Sequence, residues 1–372
     1  MTTPKISDII GIINKIAPFV LAEEWDSVGL QVGDPAAPAE RIMVALDPLP
    51  EAVDAAISAK CSLLLTHHPL LFRPLKKISL SDPHSALIAR AIRNDLAVVS
   101  LHTNYDIAPG GLNDLLAERL DVLDCVPLKV TGGDELVKLT VYVPKEHVEP
   151  VHDALAPFSG SIGNYSDCSF RAMGTGTFKP LPGARPVVGT VGTREYVDEA
   201  RLELLLRRGD IGSAVNAMLK AHPYEEPAFD LYPLLNRGED WGLGRVGRLA
   251  APLALREFAS IVKDRLAQPA VRVVGDLGRQ VMKIALCGGS GASLIKDACF
   301  KGADVLVTGD IKYHEAREAE AAGLALVDAG HFATEHLMVH GLAQRLEKEL
   351  AGRGLDALVI ACEGENEPFV YL

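Results

Sequence analysis

The sequence has no excess of basic residues, no long apolar run and no closely spaced cysteines. Lysine and arginine number 37 against 49 aspartates and glutamates, and the net charge of −12 argues against nucleic-acid binding. No apolar run is long enough to span a bilayer, and residues 1–8 carry no signal-peptide pattern, so no membrane partner is expected. The six cysteines include no CxxC pair, which argues against a thiolate metal site and predicts reduced thiols in the cytoplasm.

The chain does contain enough apolar residues to build large cores. Its 372 residues are 48% hydrophobic and 23% charged, values typical of a globular protein with two or three domains. The segment 41–65 alternates strand, helix and strand, which predicts a right-handed parallel βαβ unit. The same alternation resumes beyond residue 236. We therefore expect an α/β domain made of residues 1–128 and 236–372, with mostly parallel sheets flanked by helices.

The segment between these two parts has a different pattern. Residues 136–143 alternate as a half-buried strand, 145–158 and 196–208 are predicted to be helical, and 169–177 and 228–233 are predicted strands. Two β-α-β sequences in succession are typical of a ferredoxin-like α+β fold. Residues 129–235 are therefore predicted to form an inserted domain.

Histidines follow one of the predicted strands of the outer domain. His67 and His68 come directly after the apolar run at 62–65, so they would lie beyond the carboxyl edge of the sheet, where open α/β sheets bind ligands. An isolated His-His pair is more often a pair of polar loop residues. The ends of other strands favour the functional interpretation.

Four predicted strands are followed by residue types that commonly bind metal ions. In one parallel sheet the ends of these strands would converge on a single edge. The four ends carry His67 with His68, His102 with Asp106, Asp310 with His314, and His331 with Glu335. The spacing of His331 and Glu335 puts both on one face of a helix. Because one catalytic zinc takes three protein ligands, this number of donors fits two divalent cations better, with Zn, Fe, Co, Ni or Mn as candidates.

Two further segments have alternative interpretations. Residues 288–291 (GGSG) follow a predicted strand and could cradle a phosphate with backbone N–H groups, but a tight turn is the more frequent use of such glycines. Residues 222–227 (HPYEEP) have a proline near each end, which favours a rigid structural loop over a ligand site.

Several of these segments resemble the Nif-three-like dinuclear metal family, whose members often carry the name GTP cyclohydrolase 1 type 2 homologue. The matching segments are 24–30 (EWDSVGL), 66–69 (THHP), 102–106 (HTNYD), 309–314 (GDIKYH) and 328–335 (DAGHFATE). The resemblance implies that the metal ligands are His67, His68, Asp106, His331 and Glu335. It also implies that Glu335 bridges the ions, and that His102, Asp310 and His314 are additional ligands or orient the ligands.

The same resemblance implies an architecture and an assembly. The middle region is similar to the PII-like or CutA-like insert of the longer family members. The resemblance further implies a toroidal homo-hexamer whose metal sites face an internal cavity.

The resulting functional hypothesis is a cytoplasmic metal-dependent hydrolase acting on a nucleotide or phosphoester-like small molecule. It would use a metal-bound hydroxide, with His314 or His102 transferring the proton. The alternative is a non-enzymatic metal-binding or regulatory assembly in which the insert senses a ligand. Tight, saturated coordination would favour this alternative.

Overall fold

The computed structural model describes residues 2–370; residues 1, 371 and 372, which the predicted outer domain includes, lie outside the described residues. The described chain forms two compact units, residues 2–131 with 241–370, and residues 132–240.

The strands are β1 (Gly29–Val32), β2 (Arg41–Ala45), β3 (Leu63–Thr66), β4 (Ala97–Ser100), β5 (Leu123–Pro144), β6 (Ser169–Phe178), β7 (Glu195–Arg207), β8 (Phe229–Ala254), β9 (Arg272–Val274), β10 (Gln280–Ser290), β11 (Val305–Gly309), β12 (Ala325–Asp328) and β13 (Leu358–Ala361). The α-helices are α1 (Ile6–Ile16), α2 (Pro50–Ser58), α3 (Pro83–Arg93), α4 (Thr103–Ile107), α5 (Leu112–Arg119), α6 (Val148–Leu155), α7 (Ile211–Ala221), α8 (Leu255–Arg265), α9 (Ile295–Phe300), α10 (Tyr313–Ala321), α11 (His331–Glu335) and α12 (Leu337–Gly352).

The first sheet of the larger unit has the strand order β1-β4-β3-β2-β13. All its pairings are parallel except that of the edge strand β1 with β4. Every residue of β3 and β4 is buried, as expected for central strands covered on both faces. Thr66 pairs with Ala45 and with Ser100, so β2, β3 and β4 end side by side.

The second sheet of this unit has the order β8-β10-β11-β12-β9. Strands β10, β11 and β12 are parallel, while β8 and β9 are antiparallel to their neighbours. The fold is therefore mixed α/β with two sheets. The prediction that all four histidine-bearing strand ends share the edge of one sheet is wrong, because β3 and β4 belong to the first sheet and β11 and β12 to the second.

Helices cover both faces of the first sheet. Alternate residues of β2 point to opposite sides, so Ile42 and Val44 join the core under α1 and α12, while Met43 and Ala45 join the core under α2 and α3. The second sheet is packed in the same way between α8 on one side and α9 with α10 on the other. The carboxyl edges of the parallel strands are the parts of these sheets that stay free to build a site.

The smaller unit has the strand order β6-β7-β5-β8, and β7 is antiparallel to both of its neighbours. Its core joins one face of this sheet to α6 and α7. The prediction of a helix over residues 196–208 is wrong, since residues 195–207 form β7. Leucine favours helices, but fully buried residues of β7 alternate with less buried ones, the two-residue period of a strand (Ala200, Leu202, Leu204 and Leu206).

Two further features concern the described chain as a whole. No helix among residues 2–370 combines the length and the apolar character that crossing a membrane requires. The six cysteines are free thiols, and Cys61, Cys287 and Cys362 are buried.

Candidate metal centre

His67 and His68 are held at the end of β3 by backbone and hydroxyl contacts. Both backbone N–H groups donate to the carbonyl oxygen of Leu46, at 3.1 and 3.0 Å. The Thr66 hydroxyl donates to the carbonyl oxygen of His68 at 2.8 Å. These bonds turn the chain out of the sheet, and they leave the His67 side chain fully buried.

His102 and Asp106 come from the end of the neighbouring strand. His102 directly precedes α4, and Asp106 lies four residues later within that helix. Asp106 Oδ1 is 3.6 Å from Nε2 of His67. The His102 ring centroid is 5.3 Å from that of His67. The ends of β3 and β4 thus supply side chains to one cluster.

Glu335 joins this cluster to the edge of the second sheet. His331 and Glu335 lie at the two ends of the short helix α11, and His331 Nε2 is 3.0 Å from Glu335 Oε2. The same carboxylate oxygen is 3.1 Å from Nε2 of His68, and Oε1 is 3.7 Å from Nε2 of His67. A single buried carboxylate therefore faces histidines that belong to two different sheets.

The cluster contains two groups of side chains that could hold a metal ion. One group is His67, His68 and His102, and the other is His68, His331 and Glu335; within each group the candidate ligand atoms lie within 4.8 Å of one another. Within residues 2–370, three buried atoms of this cluster have no hydrogen-bond partner, namely both ring nitrogens of His67 and Asp106 Oδ1. Burying polar atoms without a partner is costly. Imidazole nitrogens and carboxylate oxygens are the donors that divalent transition metals prefer, so these residues fit such an ion.

Three carboxylates contact the Nδ1 atoms of three histidines and so orient their rings. Nδ1 of His68 is 2.7 Å from Asp47, Nδ1 of His102 is 2.8 Å from Asp26, and Nδ1 of His331 is 2.7 Å from Asp310. A carboxylate on Nδ1 fixes the tautomer and turns Nε2 towards the metal. Sequence analysis missed Asp26 and Asp47 in this role. Because Ala45 pairs with Thr66, Asp47 follows β2 at the position that His68 occupies after β3, and this match was a usable signal.

The carboxylates favour positive charge at the centre. Burial lowers the pKa of His68, but its hydrogen bond with Asp47 and the nearby Glu335 raise it to about 10. Glu335 likewise raises the pKa of His331 to about 9. Burial raises the pKa of Glu335, but the surrounding histidines hold it well below its usual range. Burial raises the pKa of Asp106 to about 6. A cation binding here therefore competes with protons for the same atoms.

Asp310 and His314, which both follow β11, lie in different surroundings. Asp310 has a φ of +59°, a left-handed conformation uncommon outside glycine, and its carboxylate reaches His331. His314 is exposed on α10, with its ring 5.4 Å from that of Tyr313. The structure brings Asp310 to the cluster, whereas His314 belongs to neither of the two groups that could hold a metal.

Residues 288–291 pack against the cluster. The backbone N–H groups of three of them donate to side chains, Gly288 to Asn113 Oδ1, Gly289 to Thr334 Oγ1 and Gly291 to Thr308 Oγ1. These donors are therefore not available to cradle a phosphate. Gly289 has a φ of +59°, and a Cβ atom there would collide with Oε1 of Glu335. The glycine leaves room for the central carboxylate, a role that sequence analysis missed.

Comparison with known proteins is consistent with this architecture. The model of the Duf34/NIF3 (NGG1p interacting factor 3) family matches residues 4–368. Curated proteins named GTP cyclohydrolase 1 type 2 homolog from Bacillus subtilis and Halalkalibacterium halodurans are 43% and 42% identical over 365 residues, 98% of each chain. A crystal structure of a Bacillus cereus protein related to NIF3 superposes with a TM-score of 0.94 at 40% identity, and the match covers 100% of both chains. The chain belongs to the Duf34/NIF3 family.

Proposed function

We propose that this protein is a metal-dependent hydrolase that holds two divalent cations. The ligands in this proposal are His67, His68, Asp106, His331 and Glu335. The observation that carries it is that, within residues 2–370, histidine and carboxylate side chains converge at the carboxyl edges of two sheets and include buried ligand atoms without hydrogen-bond partners. In a cluster of ion pairs with only a structural role, the buried polar atoms would be expected to have hydrogen-bond partners.

The donor geometry supports two ion positions sharing Glu335. His68 belongs to both groups of candidate ligands, but its single free nitrogen can serve only one ion. Glu335 has two oxygens, with Oε1 facing His67 and Oε2 facing His68 and His331. We therefore assign His67 and Asp106 to one position, and His68 and His331 to the other. Two divalent cations held by these residues would supply a water of lowered pKa and positive charge for an oxyanion.

Aromatic side chains beside the centre support a substrate with a planar ring. Trp25 is 58% exposed and its ring lies 5.9 Å from that of His102, while Phe72 is 47% exposed and lies 6.0 Å from Trp25. Exposed aromatic faces stack on bases. The name of the relatives points to GTP, whose hydrolytic ring opening at C8 adds one water. We propose a nucleotide or a related phosphoester as the substrate class.

Proton transfer is assigned to a histidine outside the five proposed ligands. His102 has its Nδ1 on Asp26 and its ring beside both His67 and His68, so it is positioned to exchange a proton within the centre. His314 is the second candidate, from the sequence. Replacing His314 by Ala should leave the metal content unchanged and, if it transfers the proton, lower turnover about a hundredfold or more.

The test combines elemental analysis with a screen of GTP and phosphoester substrates on the same preparation. Chelator should abolish turnover and added metal should restore it, and His68→Ala should lose both metal and turnover. The matched control is His84→Ala, a change at an exposed residue of α3 that belongs to neither group of candidate metal ligands and should alter neither property. A fully metal-loaded protein that turns over none of the substrates contradicts the hydrolase proposal.

The second candidate function is a non-enzymatic regulatory assembly. The observation that favours it is a cavity of about 520 Å³ in the smaller unit, large enough for a small ligand. The order β6-β7-β5-β8 with α6 and α7 on one face supports assigning that unit to the ferredoxin-like fold, similar to PII or CutA. A cytoplasmic homo-hexamer remains part of both proposals, and sedimentation analysis tests the stoichiometry.

A further inference from the structure

The cavity of the smaller unit has the size and lining of a small-molecule site. Its volume of about 520 Å³ lies within the range of ligand pockets. Apolar walls are contributed by the end of β6 and the loop after it, including Phe178, Pro180, Leu181 and Val187. All lining residues lie between 142 and 228, so this cavity is built without any residue of the candidate metal centre.

A buried carboxylate without a counter-charge lines this cavity. Glu199 on β7 is only 8% exposed. In residues 2–370 it takes part in no ion pair, whereas Glu203, on the same face of the same strand, pairs with Lys138 and Arg201. A Cβ atom at Gly176 would collide with Oε2 of Glu199, so the glycine makes room for this carboxylate. Burying a charge without a partner is costly, and a bound cation would remove that cost.

A buried hydroxyl lies beside the carboxylate. Within the described chain the Tyr224 hydroxyl makes no well-aligned hydrogen bond, although the Glu199 carboxylate lies close enough to it to help raise its pKa. Burial and the charge of Glu199 raise the pKa of Tyr224 to about 12, so the hydroxyl keeps its proton. The Tyr224 ring packs edge-on to Phe178, with 5.8 Å between centroids. The rigid loop predicted for residues 222–227 thus holds a polar group against the carboxylate.

The charges around the cavity disfavour an anion. Neither of the two groups of metal-ligating side chains found in residues 2–370 lies in this unit. Lys179 and Arg185 also line the cavity, but Lys179 is exposed, while Glu199 is buried. The buried Glu199 carboxylate therefore determines which ligand charge its end of the cavity favours, because water screens the charge of the exposed Lys179.

We propose that this cavity binds a small organic cation that has an apolar body and a planar head with paired N–H donors, of the amidine or guanidine type. The head donates two hydrogen bonds to the Glu199 carboxylate, the geometry in which a planar nitrogen fork pairs with a carboxylate. The body lies against Phe178 and the apolar residues after β6. The Tyr224 hydroxyl adds a polar contact at the same end.

The experiment uses the full-length protein and three probes of the same size: benzamidine, benzamide and benzoate. Dissociation constants are measured by calorimetry or ligand-observed NMR, with and without chelator. Benzamidine should bind, benzoate should bind at least about tenfold more weakly, and benzamide should lie between them because it lacks the charge. Chelator should not change these values, since the metal ligands lie outside this unit.

Two variants separate the proposal from a structural role of the carboxylate. Glu199→Gln should weaken benzamidine binding about tenfold or more, because charge-assisted hydrogen bonds are lost. The matched control Glu203→Gln makes the same charge change on the same strand outside the cavity, and it should leave binding within about twofold of wild type. Glu199→Gln should also raise the melting temperature of the ligand-free protein by relieving an uncompensated charge.

Three results would overturn the proposal. The first is unchanged benzamidine affinity in Glu199→Gln, and the second is tighter binding of benzoate than of benzamidine. The third is the failure of benzamidine to bind at millimolar concentration. A lower melting temperature in Glu199→Gln would assign the carboxylate a structural role; in that case Tyr224→Phe, which removes only the hydroxyl, must still weaken benzamidine binding severalfold for the proposal to stand.

Discussion

Replacing Asp47 by Asn should weaken metal binding although Asp47 is not one of the proposed ligands. Asp47 Oδ1 is 2.7 Å from Nδ1 of His68, and this contact sets which ring nitrogen carries the proton. A carboxamide lacks the charge that stabilises the N–H group and can present its own N–H to the ring. The Nε2 atom, 3.1 Å from Glu335, would then be a weaker ligand.

The expected magnitude follows from the exposure of the pair. Replacing a carboxylate that orients a metal-bound histidine typically weakens metal affinity about 10- to 100-fold, or about 1.4–2.7 kcal/mol. The Asp47 and His68 side chains are 32% and 24% exposed, so solvent screens the contact only in part. The Asp310 and His331 side chains are 46% and 37% exposed, and Asp310→Asn should fall at the lower end of the range, about tenfold.

The assay is competition for zinc between the protein and a coloured chelator at fixed pH, with metal content checked by elemental analysis. Asp54→Asn is the matched control, because Asp54 is a partly exposed aspartate on α2 that pairs with Arg90 and belongs to neither group of candidate metal ligands. Asp47→Asn with an affinity within about twofold of wild type would refute the orienting role. A larger loss of metal affinity for Asp310→Asn than for Asp47→Asn would refute the inference that the more exposed pair contributes less.

Three more predictions follow from the same geometry. Wild-type protein should contain two metal ions per chain and Glu335→Ala at least one fewer, and elemental analysis showing at most one ion in the wild type contradicts the dinuclear assignment. Gly289→Ala should lower metal content because the new Cβ meets Oε1 of Glu335, whereas Gly11→Ala, with open space around its Cβ, should not; equal metal content in both variants would refute the steric argument. Replacing residues 132–240 by a short Gly/Ser linker should leave a folded, metal-loaded core, because a Cβ at Gly242 would touch the carbonyl of Lys129 and the two ends of the gap are therefore close. A soluble deletion variant that binds no metal would show that the insert helps to build the centre.

Much of the architecture around the centre could be predicted because strand ends are visible in a sequence. The buried runs of β3 and β4 stop where polar residues begin, so His67 and His102 could be placed just beyond them. The spacing of His331 and Glu335 predicted a shared helical face, and both lie on α11. These inferences depend on local periodicity alone.

Which strands form a sheet together could not be predicted in the same way. Strand β13 is the last in the chain, yet it pairs with β2, and β1 pairs antiparallel with β4 across more than sixty residues. Such pairings depend on long-range packing and leave no local pattern. The single-sheet prediction failed for this reason. The helix predicted over residues 196–208 is wrong because the alternation of more and less buried residues along β7 outweighs the helix propensity of its leucines.

The segment 288–291 shows how a centre built from two sheets constrains residues that carry no chemistry themselves. Glu335 lies on α11 and must reach histidines of the first sheet, so its carboxylate passes directly over β10, at Gly289. Any side chain at this position would occupy the space of Oε1, and the φ of +59° already disfavours one. The N–H groups of Gly288, Gly289 and Gly291 donate to Asn113, Thr334 and Thr308. These bonds hold the end of β10 in place beside the carboxylate. A glycine pattern that suggests a turn or a phosphate cradle in isolation is thus required by the position of the central carboxylate, and that requirement becomes visible only once both sheets are in place.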